Sequence, residues 1–515
     1  MNVTMLLDMA AEGFGDRVVV GRAEDGLTPA RLRELATGGA RLVNRVGADA
    51  IVYLAVNGPA FAVALFAAAR AGVPLVPVNY RLGREQLDAV LANHPRALVI
   101  AGPEQAAGGH RAGPAVLSPG QWLVSTAEPA EPAEPPEPPE SDEPAREEIG
   151  VPADPAPAVL IYTSGTTSAP KGVLLRHHNL VSYVLGTVEF AAAGVDDAAL
   201  MSVPPYHIAA VSNVLTNLYA GRRTVVLEQF TAGSWLDLVR QQRITNAMVV
   251  PTMLARIVDT DGLDRSVPSL RTLAYGGARM PIRVIEAALR EWPHVDFVNA
   301  YGLTETSSTI SVLGPDEHRV AVAADDPARR RRLGSAGRPV PGIELEIRDE
   351  TGSVVPAGEP GQIWVRGEQV SGEYAGHGSM VDERGFFHTR DQGRMDREGY
   401  LYVEGRVDDT IIRGAENIAP AEIEDVLLRH PDVLDAVVVG VPDEEWGQRI
   451  EAVVVGREGV QIDTEKLRAM VRRTLRGSKT PDRITYWPEL PRTPTGKLVR
   501  RDVVAALTHD RPAAV

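Results

Sequence analysis

Residues 161–172 have the sequence Ile161-Tyr162-Thr163-Ser164-Gly165-Thr166-Thr167-Ser168-Ala169-Pro170-Lys171-Gly172. Hydroxyl side chains, two glycines and one lysine follow an apolar segment in this stretch. Successive backbone N–H groups in a turn form a concavity that binds anions, and hydroxyl and ammonium groups add further donors. The stretch therefore predicts a loop that binds a polyphosphate. The alternative is a surface hairpin turn rich in Ser, Thr and Gly.

The predicted loop differs from the Walker-type P-loop. That motif places Gly directly before the lysine and Ser or Thr directly after it, where a helix begins. Here Pro170 precedes Lys171 and Gly172 follows it, so no helix is expected to begin at this lysine.

The composition places limits on the class of protein. A chain of 515 residues is too long for one hydrophobic core, and 44% hydrophobic with 23% charged residues is typical of a globular protein. The absence of cysteine excludes disulfides, thiolate nucleophiles and cysteine-ligated metal sites. No basic segment precedes an apolar stretch near Met1, and the most apolar window contains Arg and Pro residues. We therefore expect a cytoplasmic protein with no membrane span.

The negative charge is concentrated in one segment. The formal net charge is −15, and residues 126–155 alone contribute −9. This segment repeats Glu and Pro with few large apolar side chains, so it cannot bury a core and is predicted to be a disordered surface insert. A partner-binding tail is the alternative. The remaining chain has no strongly basic region, so we expect no nucleic-acid partner.

Apolar runs alternate with helical patterns through most of the chain. Ile51–Val56 and Leu75–Val78 are predicted strands that enclose a predicted helix, Phe61–Ala71. This alternation predicts an α/β fold with mostly parallel sheets and helices on their faces. Short strands with Gly-rich turns begin near Gly342 and predict a small β-rich subdomain. A compact α+β pattern follows Asp408.

Several later segments suggest chemistry that complements a phosphate loop. The segment Tyr301–Glu305 follows a predicted strand, where open α/β sheets bind ligands, and Glu305 offers the hard oxygen atoms that Mg²⁺ prefers. Small residues at Gly276-Gly277-Ala278 would let a flat base approach the backbone. Asp391 and Arg406 could meet ribose hydroxyls. Each has an ordinary alternative: the glycines could form a turn and Asp391 could cap a helix.

Together and in this order, these segments and the C-terminal turn Arg492–Lys497 resemble the adenylate-forming superfamily, which comprises acyl-CoA synthetases, luciferases and the adenylation domains of peptide synthetases. The resemblance extends from about Ile51 to Arg501, without the Glu/Pro insert. It implies an AMP-binding domain at 1–407 and a small mobile C-terminal domain at 408–515, with the hinge at Asp408. The implied reaction is ATP-dependent activation of a carboxylic acid to an acyl-adenylate with release of pyrophosphate, followed by thioester formation with CoA.

The resemblance also implies a role for each matching residue. The implied catalytic residues are Lys497, Glu305, His207 and Thr304, with Glu305 holding Mg²⁺. The residues implied to bind ATP are Thr163, Ser164, Gly165, Thr166, Thr167, Lys171, Gly276, Gly277, Ala278, Asn299, Ala300, Tyr301, Gly302, Asp391 and Arg406. The implied walls of the acyl pocket are His207, Val211, Tyr275, Gly276, Gly277 and Ser308. Gly414 and Ala415 would line the CoA channel, and Lys171 would hold the β/γ end of ATP while Lys497 serves the α-phosphate.

Three positions depart from the family pattern. Ser168 stands where the phosphate loop usually has Gly, and Arg390 stands where a Gly usually precedes the ribose aspartate. Ala415 replaces the second glycine of a pair that lines the pantetheine tunnel in relatives. A methyl group there could impede a thiol, so a carrier-protein thiol or another acceptor such as an amine is an alternative to CoA.

The acyl group is expected to lack an amine. Adenylation domains for α-amino acids generally carry an Asp near the position of His207, and 205–212 contain no acidic residue. Small residues there leave room for an aryl or medium-length alkyl acid. Arg279 is expected to face solvent, and contact with a second carboxylate is the alternative. A nucleotide sensor without catalysis is a further alternative, against which the joint presence of Glu305, Asp391 and Lys497 argues. Both a monomer and a homodimer remain open.

Overall fold

A computed structural model describes residues 1–106, 115–128, 157–163, 171–413, 416–443, 446–457, 459–460, 462–475, 477–493, 496 and 498–509. The predicted Glu/Pro insert lies outside these residues except at its start, 126–128. Thr126 is buried and belongs to a helix that extends to Ala127, so the helix continues into the predicted insert. None of the helices in the described ranges is long and apolar enough to cross a membrane.

The first part of the chain builds a sheet that is parallel at its centre. Its elements are α1 Thr4–Phe14, α2 Pro29–Arg45, β1 Ile51–Leu54, α3 Pro59–Ala71, β2 Leu75–Pro77, α4 Arg84–Leu91, β3 Leu98–Ala101, α5 Pro103–Ala106, β4 Ala115–Leu117, α6 Pro119–Ala127, β5 Val159–Thr163, β6 Lys171–Leu175 and α7 His177–Thr187. Strands β5, β2, β1, β3 and β4 are parallel neighbours, and β6 pairs antiparallel with β5. Helix α3 is Ala-rich and almost wholly buried, because it packs between this sheet and α2.

The second part builds another mostly parallel sheet. Its elements are β7 Ala198–Met201, α8 Ile208–Ala220, β8 Arg223–Val226, α9 Ala232–Gln241, β9 Asn246–Val249, α10 Pro251–Asp259, β10 Thr272–Gly276, α11 Ile282–Glu291, β11 Asp296–Leu303, β12 Ser308–Leu313, α12 Pro315–Ala323, α13 Pro327–Arg330 and β13 Arg338–Pro339. The order is β13-β12-β11-β10-β9-β7-β8, with β12 and β13 antiparallel. Buried Trp235, Trp292 and Phe297 fill the core on one face.

The third part is rich in short strands, as the sequence predicts. Its strands are β14 Glu344–Arg348, β15 Gly361–Arg366, β16 Glu373–Tyr374, β17 Gly378–Ser379, β18 Phe387–Met395 and β19 Leu401–Arg406. An antiparallel sheet has the order β14-β15-β18-β19. The hairpin β16–β17 instead joins the first sheet through β6. This hairpin therefore ties the β-rich part to the strand that begins at Lys171.

The C-terminal part has its own hydrophobic cores. Its elements are β20 Ile411–Arg413, β21 Glu416–Ile418, α14 Pro420–Leu427, β22 Val433–Asp443, β23 Gly447–Gly456, α15 Thr464–Thr474, β24 Arg483–Tyr486 and α16 Arg500–His509. The three-stranded sheet β22-β23-β24 packs against α14 and α15 on one face and against α16 on the other. The expected α/β architecture with a small C-terminal domain is confirmed. The boundary at Asp408 stays a prediction.

Candidate active site

The predicted phosphate loop connects two paired strands. Thr163 ends β5 and Lys171 begins β6, and these two residues are register partners in the antiparallel pair. The hydroxyl of Thr163 donates to the carbonyl of Lys171 over 3.4 Å. Ser164, Gly165, Thr166, Thr167 and Ser168 lie outside the described residues. Lys171 begins strand β6, so no helix begins at this lysine, as predicted.

The ends of β10 and β11 form a close backbone contact next to this hairpin region. Gly276 is the register partner of Ala300, and a Cβ atom on Gly276 would lie 2.2 Å from the carbonyl oxygen of Ala300. A Cβ atom on Gly302 would lie 1.7 Å from the carbonyl oxygen of Ser308. Both positions therefore require glycine. Gly277 and Ala278 are exposed where β10 ends, and the Asn299 amide donates to Ser335, so that side chain supports the strand.

A buried carboxylate lies between two donors at the predicted ribose site. Asp391 is 7% exposed and is the register partner of Arg406 across β18 and β19. The Asp391 carboxylate accepts from Tyr301 Oη over 2.6 Å and from Arg406 Nη1 over 2.8 Å. Burial and the charge of Asp391 raise the pKa of Tyr301, which keeps the phenol protonated. The structure thus brings together three predicted residues, and Asp391 lies in a strand rather than at a helix cap.

Glu305 lies in a short 3-10 turn, Thr304–Thr306, directly after β11. Its Oε1 accepts from the hydroxyl of Tyr374 over 2.8 Å. Tyr374 belongs to β16, which Glu373 anchors through a two-pronged ion pair with Arg176, at 2.8 and 2.9 Å. Burial and the Glu305 charge raise the pKa of Tyr374, so its hydroxyl remains a donor. Sequence reasoning missed Tyr374, because its contact depends on a strand pairing between distant segments.

The predicted acyl pocket lies beside the first turn of α8. His207 caps this helix, with Nδ1 accepting from the Ala209 N–H over 3.1 Å. The hydroxyl of Ser308 lies 3.3 Å from that of Ser212. Val211 and Tyr275, two other predicted pocket residues, are fully buried in separate hydrophobic cores. The Tyr275 hydroxyl lies 2.8 Å from His318 Nε2 within the second core, so its ring faces away from Ser308.

The C-terminal part contacts a residue that was expected to face solvent. The Arg279 side chain is exposed as expected, with 41% of its surface accessible, and its guanidinium also donates to the Ala421 carbonyl over 3.2 Å and pairs with Asp425. Asp408 pairs with Arg390 over 2.9 Å. Lys497, Gly414 and Ala415 lie outside the described residues.

The residue before Lys497 contacts the large domain. Gly496 has a φ angle of +82°, and a Cβ atom there would lie 2.5 Å from Thr252 Oγ1, in the first turn of α10. The C-terminal turn that precedes Lys497 therefore faces the end of β9, next to the glycine-rich end of β10. This contact places the turn at the same edge of the second sheet as Gly276.

Sequence comparison assigns the family. The sequence model of the AMP-binding enzyme family matches residues 7–375, and that of the AMP-binding enzyme C-terminal domain matches residues 422–497. The chain belongs to the AMP-binding enzymes. The resemblance to the adenylate-forming superfamily is thereby confirmed.

Three similar proteins cover nearly the whole of this AMP-binding enzyme. A feruloyl-CoA synthase from Amycolatopsis sp is 35% identical, over 93% of this chain and 94% of its own. A fatty acid–[acyl-carrier-protein] ligase, ScoC, from Streptomyces coeruleorubidus is 32% identical, over 88% and 86%. The structure of ATP-bound MatB from Rhodopseudomonas palustris matches with a TM-score of 0.83 and 26% identity, over 98% of this chain and 99% of that chain. The chain is an AMP-forming acid–thiol ligase of the acyl-CoA synthetase type.

Proposed function

We propose that this AMP-binding enzyme uses ATP and Mg²⁺ to convert a carboxylic acid without an α-amine into its acyl-adenylate, and then into the CoA thioester. The observation that carries the proposal is the buried Asp391 clamp. Tyr301, near the end of the parallel strand β11, and Arg406 in β19 hold this carboxylate, which would present acceptors to the two hydroxyls of a ribose.

The other contacts position the rest of ATP around this clamp. The adenine would lie against the backbone at Gly276–Ala278, where side chains are absent or small, and along the backbone of Ala300–Gly302. Lys171, the first residue of β6, would supply its ammonium to the β- and γ-phosphates. The α-phosphate would then face a crevice beside His207 and Ser308, in which the acid would bind.

The donor set near Glu305 fits Mg²⁺. Among the described residues, no group of three or more His, Cys, Asp or Glu side chains is placed to hold a metal ion. Mg²⁺ commonly binds through one or two carboxylates, with substrate phosphates and water as the remaining ligands. Glu305 would hold the ion through its carboxylate, which Tyr374 orients through a hydrogen bond to Oε1. When bound, the ion would neutralise charge on the phosphate oxygens.

The first half-reaction is a displacement at phosphorus. An oxygen atom of the acid's carboxylate attacks the α-phosphorus of ATP, and the bond to the bridging oxygen of the β-phosphate breaks. Pyrophosphate leaves with the electron pair, so no proton is transferred in this step. In the second half-reaction a thiolate attacks the acyl carbon and AMP leaves. His207, whose ring is held by the Ala209 N–H, borders the acyl group.

The positive charge of the Lys497 ammonium would stabilise the negative charge that develops on the α-phosphate during adenylation. Removal of one preorganised donor to a developing oxyanion costs about 10²–10³ in rate. We expect Lys497→Ala to lower adenylation by at least this factor, while ATP binding remains measurable by calorimetry. Lys466→Ala is the matched control, because Lys466 is an exposed lysine on α15 of the same domain. Equal pyrophosphate release by wild type and Lys497→Ala would refute the role.

The proposed function has a direct test. Purified protein is given ATP, Mg²⁺ and a panel of aryl and alkyl acids, and pyrophosphate release is followed with and without CoA. Release with at least one acid, and a thioester product when CoA is present, supports the proposal. The absence of release with every acid contradicts it.

One relative supports a second candidate for the thiol that accepts the acyl group. ScoC acts on an acyl carrier protein according to its name, and it matches most of this chain. Ala415 would narrow a pantetheine tunnel whether the pantetheine belongs to CoA or to a carrier protein. Mass spectrometry of the products with CoA, holo-carrier protein or a simple amine separates these acceptors.

A further inference from the structure

One face of helix α8 presents polar side chains to the second sheet. The Ser212 hydroxyl lies 3.3 Å from that of Ser308 in β12, and the Asn213 amide nitrogen lies 3.8 Å from the Met248 sulfur in β9. Most of the other helix residues are buried in the large hydrophobic core. Asn213 is half-buried, as is Met248 opposite it, so both side chains keep some exposed surface. Under the proposed function, this surface belongs to the crevice beside His207 in which the acid would bind.

The sheet register gives the depth of Asn213 in this crevice. Met248 pairs with Ala274, and Ala274 pairs with Val298, so these half-buried residues form one row across three strands. The row of Gly276 and Ala300 lies two residues nearer the carboxyl ends. At about 3.3 Å per residue, Asn213 lies roughly 7 Å deeper than the nucleotide-facing row.

A chain of hydrogen bonds fixes the orientation of the Asn213 amide. An arginine side chain can only donate, so the Asn217 atom that lies 3.0 Å from Arg222 Nη1 is the carbonyl oxygen. The Asn217 nitrogen therefore faces Asn213, and it donates to Asn213 Oδ1 over 3.0 Å. The Asn213 nitrogen must then point the other way, toward Met248. This end of the crevice presents N–H donors.

The partner of these donors within the protein is weak. A thioether is a poor acceptor, and 3.8 Å is a long contact. A donor that loses water without gaining a good acceptor costs free energy, so an apolar group bound against Asn213 is disfavoured. An oxygen atom of the ligand at this position removes that cost.

The geometry points to an acid that carries a hydrogen-bond acceptor remote from its carboxylate, recognised by the amide of Asn213. Ether, hydroxyl or carbonyl oxygen on an aryl or medium-length alkyl acid meets this requirement. The inference rests on the proposed function, because it assigns the far end of the acid that is activated. Asn213 is a specificity-determining residue, and Asn217 and Arg222 are positioning residues.

Matched pairs of acids test the inference. The probes are 4-methoxycinnamate against 4-ethylcinnamate, and 6-oxoheptanoate against 6-methyleneheptanoate, in which one oxygen replaces one carbon of similar size. We measure kcat/KM for pyrophosphate release with all four acids. The comparison then uses whichever of the two pairs is turned over faster. Wild type should prefer its oxygen-containing member by about tenfold to a hundredfold, since an unpaired donor costs roughly that much in discrimination.

Three variants separate recognition from structure. Asn213→Leu should reduce the preference to within about twofold while retaining turnover of the hydrocarbon member. The carboxylate that Asn217→Asp introduces cannot donate to Asn213, so the Asn213 amide should rotate by about 180° and direct its nitrogen toward residue 217. The preference should then also be lost, although residue 217 does not touch the acid. Thr216→Val is the control, because its hydroxyl donates to the Ser212 carbonyl within the helix over 2.8 Å, and it should keep the preference.

The outcomes distinguish this inference from the proposed function. Thermal melting first confirms that each variant is folded. No pyrophosphate release by wild type with any acid would contradict the proposed function itself. Release without a preference for the oxygen-containing member, or a preference that survives in folded Asn213→Leu, would overturn the inference and leave the proposed function standing.

Discussion

The corner formed by Asp391, Tyr301 and Arg406, where we propose that ribose binds, and the contact between the two domains both use charged side chains, but they hold them differently. Asp391 is buried and accepts two hydrogen bonds from within the large domain. Its neighbour Arg390 is exposed and pairs with the predicted hinge residue Asp408, and Arg279 pairs with Asp425 near the surface. Buried pairs are costly to break, whereas exposed pairs contribute little. The difference fits a rigid nucleotide site beside a domain that can be released.

The largest effect is expected when the buried corner is broken. Asp391→Ala leaves the partly exposed Arg406 guanidinium without its carboxylate and the Tyr301 hydroxyl without its acceptor, which should lower the free energy of unfolding by about 1–3 kcal/mol. It also removes the acceptors for ribose, so KM for ATP should rise at least about a hundredfold. Chemical denaturation and pyrophosphate-release kinetics measure the two effects.

The control for this variant is a carboxylate in the same β-rich part. Asp382 accepts from Arg348 over 2.6 Å, in a pair that does not include the predicted ATP residues. Asp382→Ala should lower stability while leaving KM for ATP within about twofold. If both variants changed KM equally, Asp391 would have only a structural role.

A fall in pH should destabilise the large domain through protonation of His177, the buried first residue of α7. Its Nδ1 accepts from the Val3 N–H over 3.4 Å, and burial lowers its pKa to about 4. Because the folded pKa lies below the ordinary value of about 6.5, the folded state resists protonation. The contribution of His177 to the free energy of unfolding is fully present above about pH 6.5. It is lost as the pH falls toward 4, and the total loss is about 3 kcal/mol.

His177→Gln should remove most of this loss. Denaturation curves at intervals from pH 7 to pH 4 measure the slope of stability against pH. The exposed His377, in the turn between β16 and β17, supplies the control variant His377→Gln, which should retain the wild-type slope. An unchanged slope in His177→Gln would show that other groups dominate.

The contact between the C-terminal turn and α10 should be sensitive to substitution of one glycine, Gly496. Gly496 combines a φ of +82° with an approach to Thr252 that leaves no room for a Cβ atom. A left-handed conformation costs a non-glycine residue about 1–2 kcal/mol, and the clash opposes docking of the turn that carries Lys497. Gly496→Ala should therefore slow pyrophosphate release about tenfold without changing the affinity for ATP.

Gly459 is a matched control for Gly496. It lies in the same domain with a φ of +75°, but no atom lies within 4 Å of a Cβ atom placed there. Gly459→Ala should carry the same backbone cost and leave the rate of adenylation unchanged. An equal loss of rate in both variants would mean that strain within the C-terminal domain, and not the contact with Thr252, is responsible.

The difference between the two regions also explains what the sequence predicts well. Strand periodicity identified β1 and β2 within a few residues, and the motif around Tyr301 lies at the end of β11, as predicted. These features depend on local pattern. The Tyr374–Glu305 and Arg279–Asp425 contacts depend on how distant segments pair, which no local pattern encodes. Sequence reasoning missed both contacts for that reason.

The smallest change in stability is expected when Arg390 is replaced, and whether stability rises or falls identifies the dominant interaction. Arg390 has a φ of +63°, a conformation that costs a side chain about 1–2 kcal/mol, and its half-exposed pair with Asp408 returns only about 0.2–1 kcal/mol. Arg390→Gly should therefore leave stability unchanged or raise it by up to about 1 kcal/mol. Asp408→Asn weakens the same pair without relieving the backbone, so it should lower stability slightly. Chemical denaturation of both variants distinguishes these signs, and an equal loss in both would show that the ion pair, and not the backbone conformation, dominates at this exposed contact.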